Sequence, residues 1–194
     1  FRRVEELLDS LGKIGPESAA LILRDRRGAG GKDIGMCNEL SINQLLAMHS
    51  VIFRPSAREI WVSTTPWQCG EFIRFRLDDI LDSPVPPYHR DSSKDIPEDI
   101  FLHSESFRNL LKFKRSSAGI RSAISSGTEI PEDSISAYIG LNPLYYNAYN
   151  LAGDYFLAKG DEGNACELWK KSLTFEMKLQ ERNLIEKKIE RYKR

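Results

Sequence analysis

Residues 45–77 read LLAMHSVIFRPSAREIWVSTTPWQCGEFIRFRL, and the two-residue period of this stretch decides the fold class. Around Leu46 to Phe53 the run LLAMHSVIF is apolar with His49 and Ser50 interleaved, as expected of a strand covered on both faces. Arg54-Pro55-Ser56-Ala57-Arg58 follows as a turn, with Pro where its fixed φ is useful. Glu59 to Thr64 (EIWVST) resumes as a β-branched strand. After Pro66 to Gly70, FIRFRL alternates Ile73, Phe75 and Leu77 with Arg74 and Arg76, the pattern of a half-buried strand with a charged outer face. Three strands joined by tight turns make an antiparallel meander.

Helical patterns flank it. Val4, Leu7, Leu8 and Leu11 fall at i, i+3, i+4 and i+7, an amphipathic helix that Gly12 can end. Gly15-Pro16 opens a second helix that Ala19, Ala20, Ile22 and Leu23 carry to Arg24-Asp25. Arg26 to Gly35 is a glycine-rich loop whose spacing does not match a phosphate cradle. Asp82 to Pro97 holds four prolines and reads as a surface linker. Beyond it the chain is helical, with Phe107, Leu110 and Leu111 on one helix and Pro131 opening another under an acidic first turn.

The last fifty residues or so fit the 34-residue tetratricopeptide template over about 146–179. Ala152-Gly153 take the Leu-Gly positions, Phe156 the Tyr position, Gly160-Asp161 the turn, and Ala165, Trp169 and Ser172 the later signature positions. Small residues at 153 and 165 let two helices touch while Phe156 and Trp169 fill the space beside them. One repeat makes a tetratricopeptide-like hairpin and not an array.

Composition narrows the functional classes. The 194 residues carry 28 basic and 28 acidic side chains, so the net charge gives no argument for a nucleic-acid partner. No apolar run approaches a membrane span. Cys37, Cys69 and Cys166 form no CxxC pair, so no disulfide framework, metal site or cofactor is expected, and the compartment stays open between cytoplasm and periplasm. Phe1 opens the chain inside a helical pattern, which leads to the expectation of a processed chain or a fragment.

The ordered set ILRD (22–25), the glycine-rich loop, GMCN (35–38), SIN (41–43), AMHSVIFRP (47–55) and EIWVSTTPWQCGEFIRFRL (59–77) resembles the C-terminal part of the acyl-coenzyme A:6-aminopenicillanic acid acyltransferase family. That family is related to the choloylglycine hydrolases, and both are N-terminal-nucleophile enzymes. The resemblance covers roughly the first 80 residues. It implies an α+β fold in which residues 1–81 supply the late helices and strands of an αββα sandwich. Residues 82–97 would then be the linker and 98–194 a helical extension. It also implies an autoprocessed amidase or acyltransferase acting on linear amide or acyl-thioester bonds. Its nucleophile is a Cys at a new N-terminus whose own α-amino group serves as base, with an Asn holding the oxyanion. Both would lie upstream of Phe1, so this chain is not expected to be catalytic by itself. The implied partners are an N-terminal half or companion chain carrying that Cys and a small acyl substrate; a homo-oligomer is left open.

Among the residues present, His49, Ser50 and Asn43 are the candidates for the substrate pocket. Adjacent strand residues point to opposite faces, so His49 and Ser50 do not form a general-base and nucleophile pair. The plainer readings are a His and a Ser satisfied within a sheet and an Asn capping a turn. Arg24-Asp25 at a helix end reads either as a carboxylate site or as a cap bridging to the next loop. The alternative from another functional class is a non-catalytic helical interaction module, or a degenerate family member that keeps the fold without the chemistry.

Overall fold

The computed structural model describes residues 2–82 and 91–192. It is a mixed α+β protein that divides into two compact units. The first contains Phe1–Lys32 and Ser41–Ser104; the second contains Asp33–Leu40 and Glu105–Arg194. The helical unit is therefore discontinuous in sequence, and the boundary does not coincide with the Pro-rich stretch.

The first unit opens with α1 (Arg2–Leu11) and α2 (Pro16–Leu23), the latter with Pro at its first turn, where a missing N–H costs nothing. The meander is β1 (Val51–Arg54), β2 (Glu59–Ser63) and β3 (Phe72–Arg76), antiparallel in the order β1-β2-β3. Register sets Ile52 opposite Trp61 and Trp61 opposite Arg74. Ile52, Trp61, Phe72 and Ile96 close a core against Ala20, with Ala19 and Leu23 beside it, so α2 covers one face of the sheet. Burying side chains of this size stabilises the unit by about 1.5–3 kcal/mol each.

Four expectations change here. The run 46–53 is not a strand covered on both faces: pairing begins at Val51, and Leu46, Met48 and Phe53 are 60%, 72% and 68% exposed. Leu45, fully buried, turns the chain through a positive φ of 55° just before, which is incompatible with a continuous strand. Arg74 does not belong to a charged outer face either. It shares the α2 side of the sheet with Trp61, its charge matched by Glu59, so the arginine stem serves as cover. Ile73 and Phe75 lie on the opposite face, half-buried. The linker reading fails for residues 91–97, where Ile96 exchanges two backbone hydrogen bonds of 2.9 Å with Phe72 and closes the β3 edge. Residues 83–90 of that stretch lie outside the described residues. After β3 comes α3 (Leu77–Asp82), a helix where the pattern predicts the end of a strand.

The second unit contains α4 (Glu105–Ser126), α5 (Glu132–Gly140), α6 (Tyr146–Ala158), α7 (Glu162–Ser172) and α8 (Leu179–Tyr192). In α4, Leu110, Phe113, Ser117, Ile120 and Ala123 bury a helical stripe. Phe113 stacks on Tyr138 with centroids 4.9 Å apart. In the α6/α7 hairpin a Cβ on Gly153 would lie 2.6 Å from the Trp169 ring, so the two helices are in close approach there. Asp161 caps α7 by accepting from the Asn164 N–H at 3.0 Å. Residues 33–40 thread into this unit. Met36 and Asn142 exchange bonds of 3.0 and 2.8 Å, and Asn38 donates to the Glu176 carbonyl at 3.0 Å. Gly35, at φ +79°, sits where a Cβ would be 2.5 Å from the Tyr145 backbone nitrogen.

Candidate functional site

A buried polar cluster of the first unit lies around the connection from β2 to β3, residues 64–71. Thr64 donates to the Glu71 carbonyl at 2.7 Å and the Cys69 N–H to the Pro66 carbonyl at 2.8 Å. Between them, Trp67 and Gln68 both take positive φ values of 45° and 66°. That conformation costs about 1–2 kcal/mol per non-glycine residue, so the turn persists only because its surroundings hold it. A Cβ on Gly70 would strike the Thr64 hydroxyl and the Thr65 carbonyl, which restricts that position to glycine.

Four side chains do the holding. Arg24, 8% exposed, donates from Nη2 to the carbonyls of Gly70 at 2.7 Å and Pro97 at 2.8 Å, and from Nε to that of Gln68 at 3.4 Å. Burial pushes its pKa down from the usual arginine value. Asn43, with no exposed surface, donates from Nδ2 to the Trp67 carbonyl at 3.2 Å and to Cys69 Sγ at 3.4 Å, while Oδ1 accepts from the Leu45 N–H at 2.9 Å. The Ser50 hydroxyl donates to Gln68 Oε1, and the Ser50 N–H to Ser63 Oγ at 2.7 Å. Arg26 pairs with Asp99 at 2.5 Å and lies 4.0 Å from Cys69 Sγ.

Asn43 and Ser50 thus converge on one strained turn through Trp67, Gln68 and Cys69. His49 does not: it is exposed, just ahead of β1. The hydrogen-bonding atoms of Asn43 and Ser50 hold the protein's own backbone and side chains, so their direct role is to position the turn. Arg24 acts as a clamp on three carbonyls and neither as a carboxylate site nor as a side-chain cap. Its neighbour Asp25 takes a bidentate pair with Arg3 at 2.8 and 3.1 Å. Sequence reasoning missed Gln68, Cys69, Arg26 and Asp99. The available signal for the first two was a polar insertion between Pro66 and Gly70; Arg26–Asp99 spans 73 positions and has no local signature.

Cys69 has no exposed surface, and burial pushes its thiol up from the ordinary value, with the Arg26 charge opposing. Burial raises Cys37 as well, and Cys166 is 8% exposed. A raised, covered thiol is a poor nucleophile. No protein-family model, curated protein or solved structure matches the chain. Among the described residues no helix is long and apolar enough to cross a membrane.

Proposed function

We propose that this chain is the C-terminal part of an N-terminal-nucleophile amidase or acyltransferase that acts on linear amide or acyl-thioester bonds through an N-terminal Cys outside this sequence. The supporting observation is the sheet face opposite α2. Val51, Phe53, Ile60, Val62, Ile73 and Phe75 share it, Phe53 exposed and the rest half-buried. An apolar sheet face of this kind is what a second sheet packs against in a sandwich, about 10 Å away. Cys69 and Cys166 are buried and Cys37 is half-buried with a raised pKa, which agrees with a nucleophile supplied from elsewhere. In this reading Asn43, Ser50 and Gln68 position the 66–70 turn as one wall of the substrate pocket, and His49, exposed just ahead of β1, is the remaining candidate for substrate contact.

The helical interaction module is the second reading, favoured by a groove of about 300 Å³ beside α6 and α8 that includes Asn150, Leu184, Lys187 and Arg191. Native and denaturing mass measurement of the material purified from its source separates the two. A bound companion that begins with Cys, and whose alkylation abolishes turnover of simple acyl amides, is the expected result. Material that contains no polypeptide beginning with Cys overturns the enzyme reading.

A further inference from the structure

A groove of about 480 Å³ opens between the N-terminal end of α2 and the end of β1. Small-molecule sites commonly enclose about 300–1,000 Å³. Ile14, Ala19, Ile52 and Phe53 supply its apolar lining, Lys13 and Arg54 its charge, and no carboxylate lines it among the described residues. It shares no residue with the cluster at 64–71.

Both cations can take an anion. Lys13, exposed in the link from α1 to α2, has no ion pair among the described residues. One nitrogen of Arg54 lies 3.4 Å from Glu59, but Arg74 bonds that carboxylate through Nε at 3.0 Å and through Nη2, so most of the Arg54 guanidinium is left over. Gly15, the N-cap of α2, brings no side-chain acceptor, so the positive end of the helix dipole opens on the same groove. Glu17, in the first turn, offsets part of that field from outside the lining.

Surface cations alone are ordinarily solvated, and the apolar surface beside this pair sets it apart. Ile14 is 39% exposed and Phe53 68%. A hydrated inorganic anion would leave that surface wet, a neutral hydrocarbon would leave the cations unmatched, and a cation would be repelled. An apolar body carrying one carboxylate meets both demands, and it balances a Lys and a partly neutralised Arg.

We infer that this groove binds a small amphiphilic carboxylate, with its apolar body on Ile14, Ala19, Ile52 and Phe53 and its head against Lys13 and Arg54. The assignment is independent of the enzyme reading, because it uses neither the 66–70 turn nor a nucleophile.

The test titrates decanoate into the whole chain and follows backbone amide shifts, with decanol and decylammonium as neutral and cationic counterparts of equal length. Decanoate is expected to move the amides of Ile14, Ser18 and Phe53 saturably and to bind at least tenfold more tightly than either counterpart. The double variant Lys13→Gln, Arg54→Gln is expected to weaken decanoate at least tenfold and to leave decanol unchanged, and high salt should weaken decanoate as well. Phe53→Thr, at an exposed strand position, is expected to weaken both decanoate and decanol, with an unchanged melting temperature showing that the fold is kept. Equal binding of the three amphiphiles, undiminished decanoate affinity in the double variant, or shifts confined to other residues overturns the inference. None of these outcomes touches the amidase reading, which is tested by the search for a Cys-initiated polypeptide.

Discussion

The clamp formed by Arg24 gives a quantitative test of how the 66–70 turn is held. Replacing Arg24 with Met keeps much of the apolar stem and removes the guanidinium from the carbonyls of Gly70, Pro97 and Gln68. Two of those bonds are short and charge-assisted, and each such bond contributes about 1.5–3 kcal/mol. The desolvation that lowers the Arg24 pKa offsets part of this, so the net loss should be about 2–4 kcal/mol. The readout is hydrogen exchange at the Asp99 amide, which donates to the Cys69 carbonyl at 2.7 Å and reports opening of the turn directly. At tenfold per 1.4 kcal/mol, protection should fall by about 30- to 700-fold. Arg24→Lys should recover less than half of the loss on the free-energy scale, since an ammonium cannot reach three carbonyls from one planar fork. A change below about threefold in Arg24→Met would refute the clamp, because a buried charge with three acceptors cannot then be what holds the turn.

Other consequences are checkable with the isolated chain. Gly153→Ala should lower the melting temperature although Ala favours a helix by about 1 kcal/mol, because its Cβ meets an indole fixed by a 3.0 Å bond to Asp154; the clash falls at the upper end of about 1–3 kcal/mol. An unchanged or raised melting temperature would show that α6 and α7 are not in close approach. Burial pushes the Tyr138 phenol up to about 12, and burial raises Tyr145 and Tyr146 too. The unfolded chain ionises near pH 10, so stability should fall as pH rises from there toward the folded values. Phenolate absorbance should then lag behind that of a free tyrosine titration until the chain unfolds, and a normal titration of all tyrosines would contradict the packing. At pH 8, Cys69 and Cys166 should react with a disulfide reagent at least about tenfold more slowly than in denaturant. Rapid native labelling of Cys69 would make it a candidate nucleophile and remove one support of the enzyme reading.

Local pattern carried much of the architecture. The proline at 16, the glycine at 12 and the hydrophobic spacing of the terminal segments located their helices, since caps and periodicity act over a few residues. Gly153, Ala165 and Trp169 announced the α6/α7 contact because packing two helices closely demands small residues opposite a large one. The meander was legible as three strands with the correct turns. Its facing was not: alternation in FIRFRL separates Ile73 and Phe75 from Arg74, but period two leaves open which set meets α2. Tertiary structure chose the arginine side, with Glu59 at hand to match the charge.

The candidate site divides along the same line. By itself the sequence determined that Asn43, Ser50 and a Pro-to-Gly turn belong to this part of the chain, and that no zinc-type cysteine spacing is present. Only the tertiary structure decided that Asn43 and Ser50 meet at residues 67–69, that Arg24 spends its charge on backbone carbonyls, and that residues 33–40 belong to the helical unit. These contacts join positions 18 to 138 residues apart, and each rests on a satisfied polar group in a low-dielectric interior. Such pairings leave no periodic trace in the chain, because their partners are selected by where the backbone returns and not by what stands next in sequence.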